Sequence, residues 1–406
     1  MISLEEAQAK VLAACERVHP RAVPLAEGLG RVTSVPLMAD EAVPPFANTA
    51  MDGYAVRAAD TIGVPVMLRV VGVLPAGVDP SAMHVGEGEA VQIMTGAPMP
   101  PGADAVVMVE RTAPGRVAGT VEVQVQVEAG NHVRPAGEDL HPGQEVFPAF
   151  TVLQAGHLGV LASLGMRRVP VFPGLRVGVL STGDELVEAP GPLPVGKIRD
   201  SNRSTLLALV AQAGCEPVDL GLVADEEAAV RAALVEAVGS CDVVLTSGGV
   251  SMGEFDYVKK VLDELAGGSG RPLTAMQVAI RPAKPLSFGV VDQVPVFGLP
   301  GNPVSSMVSF ELFARPALRR MMGHPEIHRP TVRAVADEAF SRKPDGKLHL
   351  LRVVAALGQD GRYHVRSSGG QASNLLRAMA LANALALVPD GVGIEDGADV
   401  QVMLLT

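Results

Sequence analysis

The sequence predicts an α/β core flanked by two β-rich regions, and three observations carry that reading. Between Leu175 and about Met322, β-type apolar runs alternate with helical segments, the pattern of a mostly parallel, doubly wound sheet covered on both faces. Ahead of it, between Val23 and Val146, short β runs are separated by Gly and Pro turns, with no long helix among them. Beyond Gly323-His324-Pro325 the chain is β-rich again. The expected domains are therefore 1–173, 174–325 and 326–406, which suits a chain of 406 residues.

Each element has a local reason. Residues 4–18 place Leu4, Ala7, Val11, Leu12, Cys15 and Val18 at helical spacing, and Ser3 with Glu6 forms a capping box. The β runs that follow include 66–73, 105–110 and 121–127. Pro-x-Gly-x-Asp recurs at Pro75, Pro100 and Pro135; the unequal spacing marks shared turn chemistry and not a structural repeat. Residues 153–164 return to helical spacing, and Pro170 and Pro173 mark a boundary. Core strands are expected at 176–180, 218–222, 243–246, 276–280, 286–291 and 294–299. Core helices are expected at 204–213, at 226–238 with Asp225 as N-cap, at 255–265 and from Pro303 to about Met322. The last region offers strands at 331–335, 348–355, 363–367, 384–388 and 400–405.

Composition narrows the class. Hydrophobic residues are 48% of the chain, enough for real cores, while Gly (44) and Pro (32) supply many turns. The formal net charge of −11 opposes a broad nucleic-acid surface, which carries clustered Lys and Arg. Cys15, Cys215 and Cys241 are too few and scattered for a zinc site or disulfide framework and suit a reducing compartment. The start has no basic, apolar leader pattern. The longest uncharged stretch, 147–166, is broken by Pro148, Gln154, Gly156, His157 and Ser163. A soluble cytoplasmic protein is expected, with no membrane contact.

Ligands of open α/β sheets bind outside the carboxyl ends of the strands, and three segments fall there. In the first, Ser181 to Glu185, the carboxylates Asp184 and Glu185 suit a hard cation that shares phosphate oxygens; a turn cap beside a solvated acid would use the same residues. In the second, Ser247-Gly248-Gly249-Val250-Ser251 offers an oxyanion nest, or a tight turn that needs glycine. In the third, Pro300-Gly301-Asn302-Pro303-Val304-Ser305 starts a helix whose N-terminus could take an anion, or is simply a stiff helix start. Asp256 is either a first-turn acid or a ligand-facing one. Arg281-Pro282-Ala283-Lys284-Pro285 is a rigid cationic strand end suited to an oxyanion, or a solvated loop. In the N-terminal region Asn48 to Val56 reads as a hairpin around Asp52-Gly53, and the segments holding Thr95 and Arg134 to Asp139 read as turns. No Gly-x-Ser-x-Gly, P-loop or Gly-x-Gly-x-x-Gly fingerprint is present.

In these motifs the sequence resembles the MoeA/gephyrin E-domain family, the molybdopterin molybdenumtransferases. The match runs in order through Asn48 to Val56, Gly88 to Val107, Arg134 to Asp139, Ser181 to Leu186, Asp200-Ser201-Asn202-Arg203, Thr246 to Ser251, Arg281 to Pro285 and Leu299 to Ser305. The resemblance implies insertion of molybdate into adenylylated molybdopterin with release of AMP and assistance from Mg²⁺. It implies an N-terminal region of two intertwined subdomains serving as substrate lid and dimer contact, a molybdopterin-binding core and a C-terminal β-barrel. It also implies a homodimer with sites shared between subunits, and transient contacts with the adenylyltransferase and with molybdoenzyme chaperones. Carried onto this chain, the catalytic candidates are Asp52, Asp139, Glu185, Asp225 and Asp256. The magnesium candidates are Asp184, Glu185, Asp225 and Asp256. The substrate-binding candidates are Thr95, Arg134, Thr182, Gly183, Ser247, Gly248, Gly249, Ser251, Arg281, Lys284, Pro300, Pro303 and Ser305.

The chain departs from the family pattern where Lys-Pro-Gly-Lys-Pro is common: it has Arg281 and Ala283, and Gln277 where some members carry Lys. No chemistry is assigned to the C-terminal region. The competing readings are the preceding adenylyl transfer, which uses a related core, and a non-catalytic scaffold on the same fold.

Overall fold

The computed structural model describes residues 1–188, 190–249, 257–268 and 274–405. The chain divides into two compact units, one of Pro24–Leu29 and Val35–Val169, the other of Met1–Val23, Gly30–Ser34 and Pro170–Thr406. The first helix, α1 (Leu4–Ala13), carries the expected capping box, with Ser3 and Glu6 each accepting from the other's backbone N–H. It stops at Ala13 and not at Val18, whose N–H is taken instead by the Met321 carbonyl.

The smaller unit is built on strands β1 (Gly53–Val56), β2 (Val66–Leu74), β3 (Glu89–Ile93), β4 (Ala105–Met108), β5 (Thr112–Pro114) and β6 (Thr120–Val123), ordered β4-β1-β3-β2-β6-β5. Strands β4, β1 and β3 are buried on both faces. Ala55, Val91 and Val106 lie across from one another in one apolar cluster, and Val56, Ala90 and Ala105 in the other. Each fully buried Val or Ile there contributes about 1.5–3 kcal/mol relative to exposure. The expected Asp52-Gly53 hairpin does not form. Asn48–Thr49 pairs with Val133–Arg134, and Gly53 instead opens β1, where a Cβ would lie 2.1 Å from the Val107 carbonyl oxygen. The three Pro-x-Gly-x-Asp glycines, Gly77, Gly102 and Gly137, all have positive φ, as shared turn chemistry requires. The unit ends on α2 (Ala155–Ser163).

The larger unit holds the α/β core: β7 (Arg176–Thr182), α3 (Asn202–Gln212), β8 (Glu216–Val223), α4 (Glu227–Ser240), β9 (Val243–Ser247), α5 (Tyr257–Gly268), β10 (Thr274–Gln277), β11 (Pro285–Val291) and β12 (Val294–Leu299). Sheet order is β8-β7-β9-β12-β11-β10; the first four pair in parallel, and β11 pairs antiparallel with both β12 and β10. Val177, Val179, Val243 and Leu245 face the α1 and α3 side, while Leu180, Val244 and Val296 face α4 and α5. The period-2 alternation with both faces apolar explains why these strands read as near-continuous hydrophobic runs. Two expectations are corrected here. Asp225 does not cap α4: Glu226 occupies the cap position without a side-chain bond, and its N–H closes onto Ala224. The expected strand 276–280 splits, because Val278 and Lys284 close a loop and Ile280–Arg281 leaves the core sheet. The last core helix, α6, runs over 303–321 with Pro303 in its first turn and a π-helical turn at Phe310–Ala314. That turn buries Glu311, which takes two bonds from Arg329 (2.9 and 3.0 Å).

Beyond it, β13 (Thr331–Ala336), β14 (Leu348–Leu357), β15 (Tyr363–Ser367), β16 (Ala384–Val388) and β17 (Asp399–Leu404) close into a barrel, β14-β15-β13-β17-β16-β14. Closure removes the free strand edges a small sheet would otherwise expose. Ile280–Arg281 pairs in parallel with the start of β14, placing Arg281 opposite His349. The three cysteines are buried free thiols. Among the described residues no helix is long and apolar enough to cross a membrane.

Candidate functional site

The register Ser181–Ser247–Leu299 sets the carboxyl ends of β7, β9 and β12 side by side. Gly248 and Gly249 both have positive φ (95° and 65°), and a Cβ on Gly248 would lie 2.5 Å from the Thr182 carbonyl oxygen. The structure shows the tight turn, and it leaves fewer donors than a nest would offer: the Gly248 N–H is spent on Leu299 (3.2 Å). The buried hydroxyls of Ser181, Thr182 and Thr246 have no hydrogen-bond partner among the described residues. Orphaned buried hydroxyls at a strand-end crevice call for a water or a ligand. Asp184 and Glu185 are exposed there, with Glu185 folded back over Gly183. Asp225 is half-buried after β8. Ser251 and Asp256 lie outside the described residues.

Pro300 is buried and Ser305 is 6% exposed. The helix start is less open to anions than expected. Pro303 has no N–H, the Val304 N–H goes to the Ser373 carbonyl (3.1 Å) and the Ser306 N–H to Asn302 (2.9 Å). Sequence reasoning also missed Asn202. Its side-chain nitrogen donates to Ser247 Oγ at 2.8 Å and to the Gly301 carbonyl at 2.7 Å, tying two strand-end loops together. Asp200, with its side chain 2% exposed, accepts from the Asn202 and Arg203 N–H groups, and the Arg203 guanidinium bridges Asp200, Asp219 and Glu188. The signal was present in the Asp200-Ser201-Asn202-Arg203 motif, but nothing local says what it reaches.

Arg281 opens onto a cleft of about 590 Å³ whose other walls come from the barrel, including Arg342, Lys343, Asp345, His349, Arg352, Ser367 and Gln371. Asp345 is shared among three cations and a histidine whose pKa burial lowers. It takes Lys347 (2.9 Å), Arg342 (2.6 Å), His349 (3.2 Å) and, at 4.0 Å, Arg281. The Lys347 hydrogen bond, then the His349 one, holds its pKa down at about 2. Arg352 is 1% exposed. Its Nη2 reaches only the Gly370 and Ala372 carbonyls (3.0 and 3.2 Å), and its Nε has no partner. Burial lowers its pKa to about 10, so it stays charged at neutral pH. Lys284 is exposed nearby in sequence, and Ala283 between them sits at φ +75°.

In the smaller unit the structure joins two sequence-predicted residues. Asp52 Oδ1 accepts from both Thr95 N and Thr95 Oγ1 at 2.7 Å. The backbone bond first, then the side-chain bond, lowers the Asp52 pKa. Arg134 is exposed on the strand paired with Asn48–Thr49, and Asp139 is exposed in the bend that follows, its N–H bonded to the Val43 carbonyl (2.9 Å). Among the described residues no group of three or more metal-ligating side chains converges.

Comparison with known proteins covers the whole chain. Residues 2–165 match the MoeA N-terminal region (domain I and II), 178–320 a probable molybdopterin binding domain, and 333–405 the MoeA C-terminal region (domain IV). Molybdopterin molybdenumtransferase 2 of Mycobacterium tuberculosis is 39% identical over 414 residues, covering all of both chains. The molybdopterin molybdenumtransferase of Haemophilus influenzae is 36% identical, covering 94% of this chain and 93% of that one. Two crystal structures of MoeA proteins from Pyrococcus horikoshii superpose with TM-scores of 0.82 and 0.77 at 30% and 28% identity, over 100% of this chain. The chain belongs to the MoeA family of molybdopterin molybdenumtransferases, enzymes of molybdenum cofactor biosynthesis that transfer molybdate to molybdopterin.

Proposed function

We propose that the substrate is adenylylated molybdopterin, that AMP is the second product, and that the two anionic partners occupy different parts of one site. The observation that carries this reading is the buried Arg352 guanidinium, which has no carboxylate partner among the described residues and lines a cleft with Arg281 and Arg342. A buried cation with only carbonyl partners is costly. A tetrahedral oxyanion in the cleft supplies the counter-charge, and guanidinium forks match its oxygens. Molybdate is therefore assigned to the cleft. The pyrophosphate-linked nucleotide is assigned to the strand-end crevice, where Thr182, Ser247 and Gly249 offer donors. A short segment links the two: Gly370 and Ala372 hold Arg352, and Ser373 holds Val304 at the start of α6.

The crevice suits magnesium by donor type, since Mg²⁺ takes one or two carboxylates and completes its shell with substrate oxygens and water. Glu185 or Asp225 would supply a carboxylate, with Asp184 and Asp256 the other candidates, Asp256 from outside the described residues. When bound, it would neutralise charge on the pyrophosphate link. The protein's own residues would hold the phosphate in the crevice through the buried hydroxyls and the oxyanion in the cleft through the guanidinium groups. We further assign the chain to the cytoplasm and to a homodimer in which the partner subunit's Asp52, Thr95, Arg134 and Asp139 complete each site. Transient contacts with the adenylyltransferase and with molybdoenzyme chaperones would supply the substrate and remove the cofactor.

Calorimetric titration with molybdate tests the assignment. Arg281→Ala, at an exposed side chain, and Arg352→Met should each weaken binding about 10-fold or more, the loss expected for one charge-assisted hydrogen bond. Unchanged affinity in a folded Arg281→Ala protein removes molybdate from the cleft.

A further inference from the structure

We propose that Asn202 is a positioning residue that clamps the two strand-end loops and sets the Ser247 hydroxyl as a hydrogen-bond donor to the nucleotide phosphate. The inference rests on the reading that the crevice takes the pyrophosphate-linked nucleotide.

Both acceptors of the Asn202 amide lie at the carboxyl ends of neighbouring parallel strands, Ser247 at the end of β9 and Gly301 just beyond β12. The Gly301 carbonyl can only accept. The amide nitrogen must therefore face it, since a reversed amide would set oxygen against oxygen. That nitrogen also lies 2.8 Å from Ser247 Oγ, so the hydroxyl accepts in this bond and its own hydrogen points elsewhere. Among the described residues it meets no acceptor. Ser247 is 2% exposed and sits beside Gly248, whose backbone packs against the Thr182 carbonyl. A buried hydroxyl that already accepts one hydrogen bond and keeps its proton free is built to donate to an incoming oxygen anion.

Asn202 is itself held in place. Asp200 Oδ1 accepts from the Asn202 and Arg203 N–H groups at 3.1 Å each, and Arg203 anchors Asp200 to Asp219 and Glu188. The amide is thus fixed from its own backbone before it reaches the two loops. Asp at this position keeps the shape but has no donor. It would repel the Gly301 carbonyl and draw the Ser247 proton onto itself, so the phosphate would lose a donor. Ala would release the clamp but leave Ser247 free to donate.

The test measures AMP affinity by calorimetry, and KM and kcat for molybdate-dependent AMP release, in Asn202→Ala, Asn202→Asp, Ser247→Ala and the Asn202→Asp/Ser247→Ala double variant. Asn202→Asp should weaken AMP binding about 10-fold or more and Asn202→Ala only a few-fold. Both should act more on KM than on kcat. The penalty of the Asp substitution should shrink at least about threefold once Ser247 is Ala, because the hydroxyl it reorients is gone. Equal AMP affinity in wild type and Asn202→Asp, or strictly additive effects in the double variant, would overturn the inference alone. Failure of the wild type to bind AMP would overturn the crevice reading and the inference together.

Discussion

Replacing Gly248 by Ala should damage both stability and activity, and the structure says by how much. At φ +95° an L-residue carries about 1–2 kcal/mol of left-handed strain. The new Cβ would also lie 2.5 Å from the Thr182 carbonyl oxygen, a backbone atom that cannot swing aside because β7 is locked to β9 through the Ser181–Ser247 register. Overpacking of that kind adds about 1–3 kcal/mol. Gly214→Ala is the matched control: its φ is +86°, but nothing lies within 4 Å of its Cβ. Urea denaturation of both variants separates the conformational strain from the clash. Gly214→Ala should lose about 1–2 kcal/mol and keep full AMP release. Gly248→Ala should lose about 2–5 kcal/mol and most of its activity. Equal stability losses with activity retained in Gly248→Ala would refute the argument that this close approach shapes the site.

Two further outcomes follow from single residues. Ala283→Gly relieves left-handed strain of about 1–2 kcal/mol at φ +75°, but gives up a buried methyl worth about 0.8 kcal/mol and adds unfolded-state entropy. Its unfolding free energy should change by less than about 1 kcal/mol, while the looser Arg281–Lys284 turn raises the KM for molybdate. Thr95→Val removes one of the two hydrogen bonds that favour ionised Asp52, so the Asp52 pKa should rise toward its ordinary value, as NMR titration would show. The sign is fixed by linkage. A depressed carboxylate pKa gives stability above the ordinary value that is lost as pH falls through the folded value, so the variant should lose it at higher pH.

Much of the fold follows from local chemistry that a sequence displays. The Ser3/Glu6 capping box, the Pro-x-Gly-x-Asp turns and the doubly apolar core strands depend on neighbours a few residues apart. The three strand-end loops follow from the rule for open α/β sheets. Long-range closure was legible only through the family resemblance, which implied the C-terminal β-barrel. Nothing local tells that β14 meets both β15 and β16 to close a barrel, or that Ile280–Arg281 leaves the core sheet to join it. The cationic cleft depends on that switch, so Arg342 and Arg352 carried no signal beyond being arginines. Asn202 illustrates the same limit, since its acceptors lie 45 and 99 residues away. Asp225 shows the reverse error: a good N-cap residue type sits one place before the residue that occupies the cap.

The account is tested most directly by following AMP release from adenylylated molybdopterin and Mg²⁺ with and without molybdate. It predicts release that requires molybdate and falls steeply in Arg352→Met and Arg281→Ala. Release that proceeds equally without molybdate, or that is untouched by both arginine variants, would contradict it.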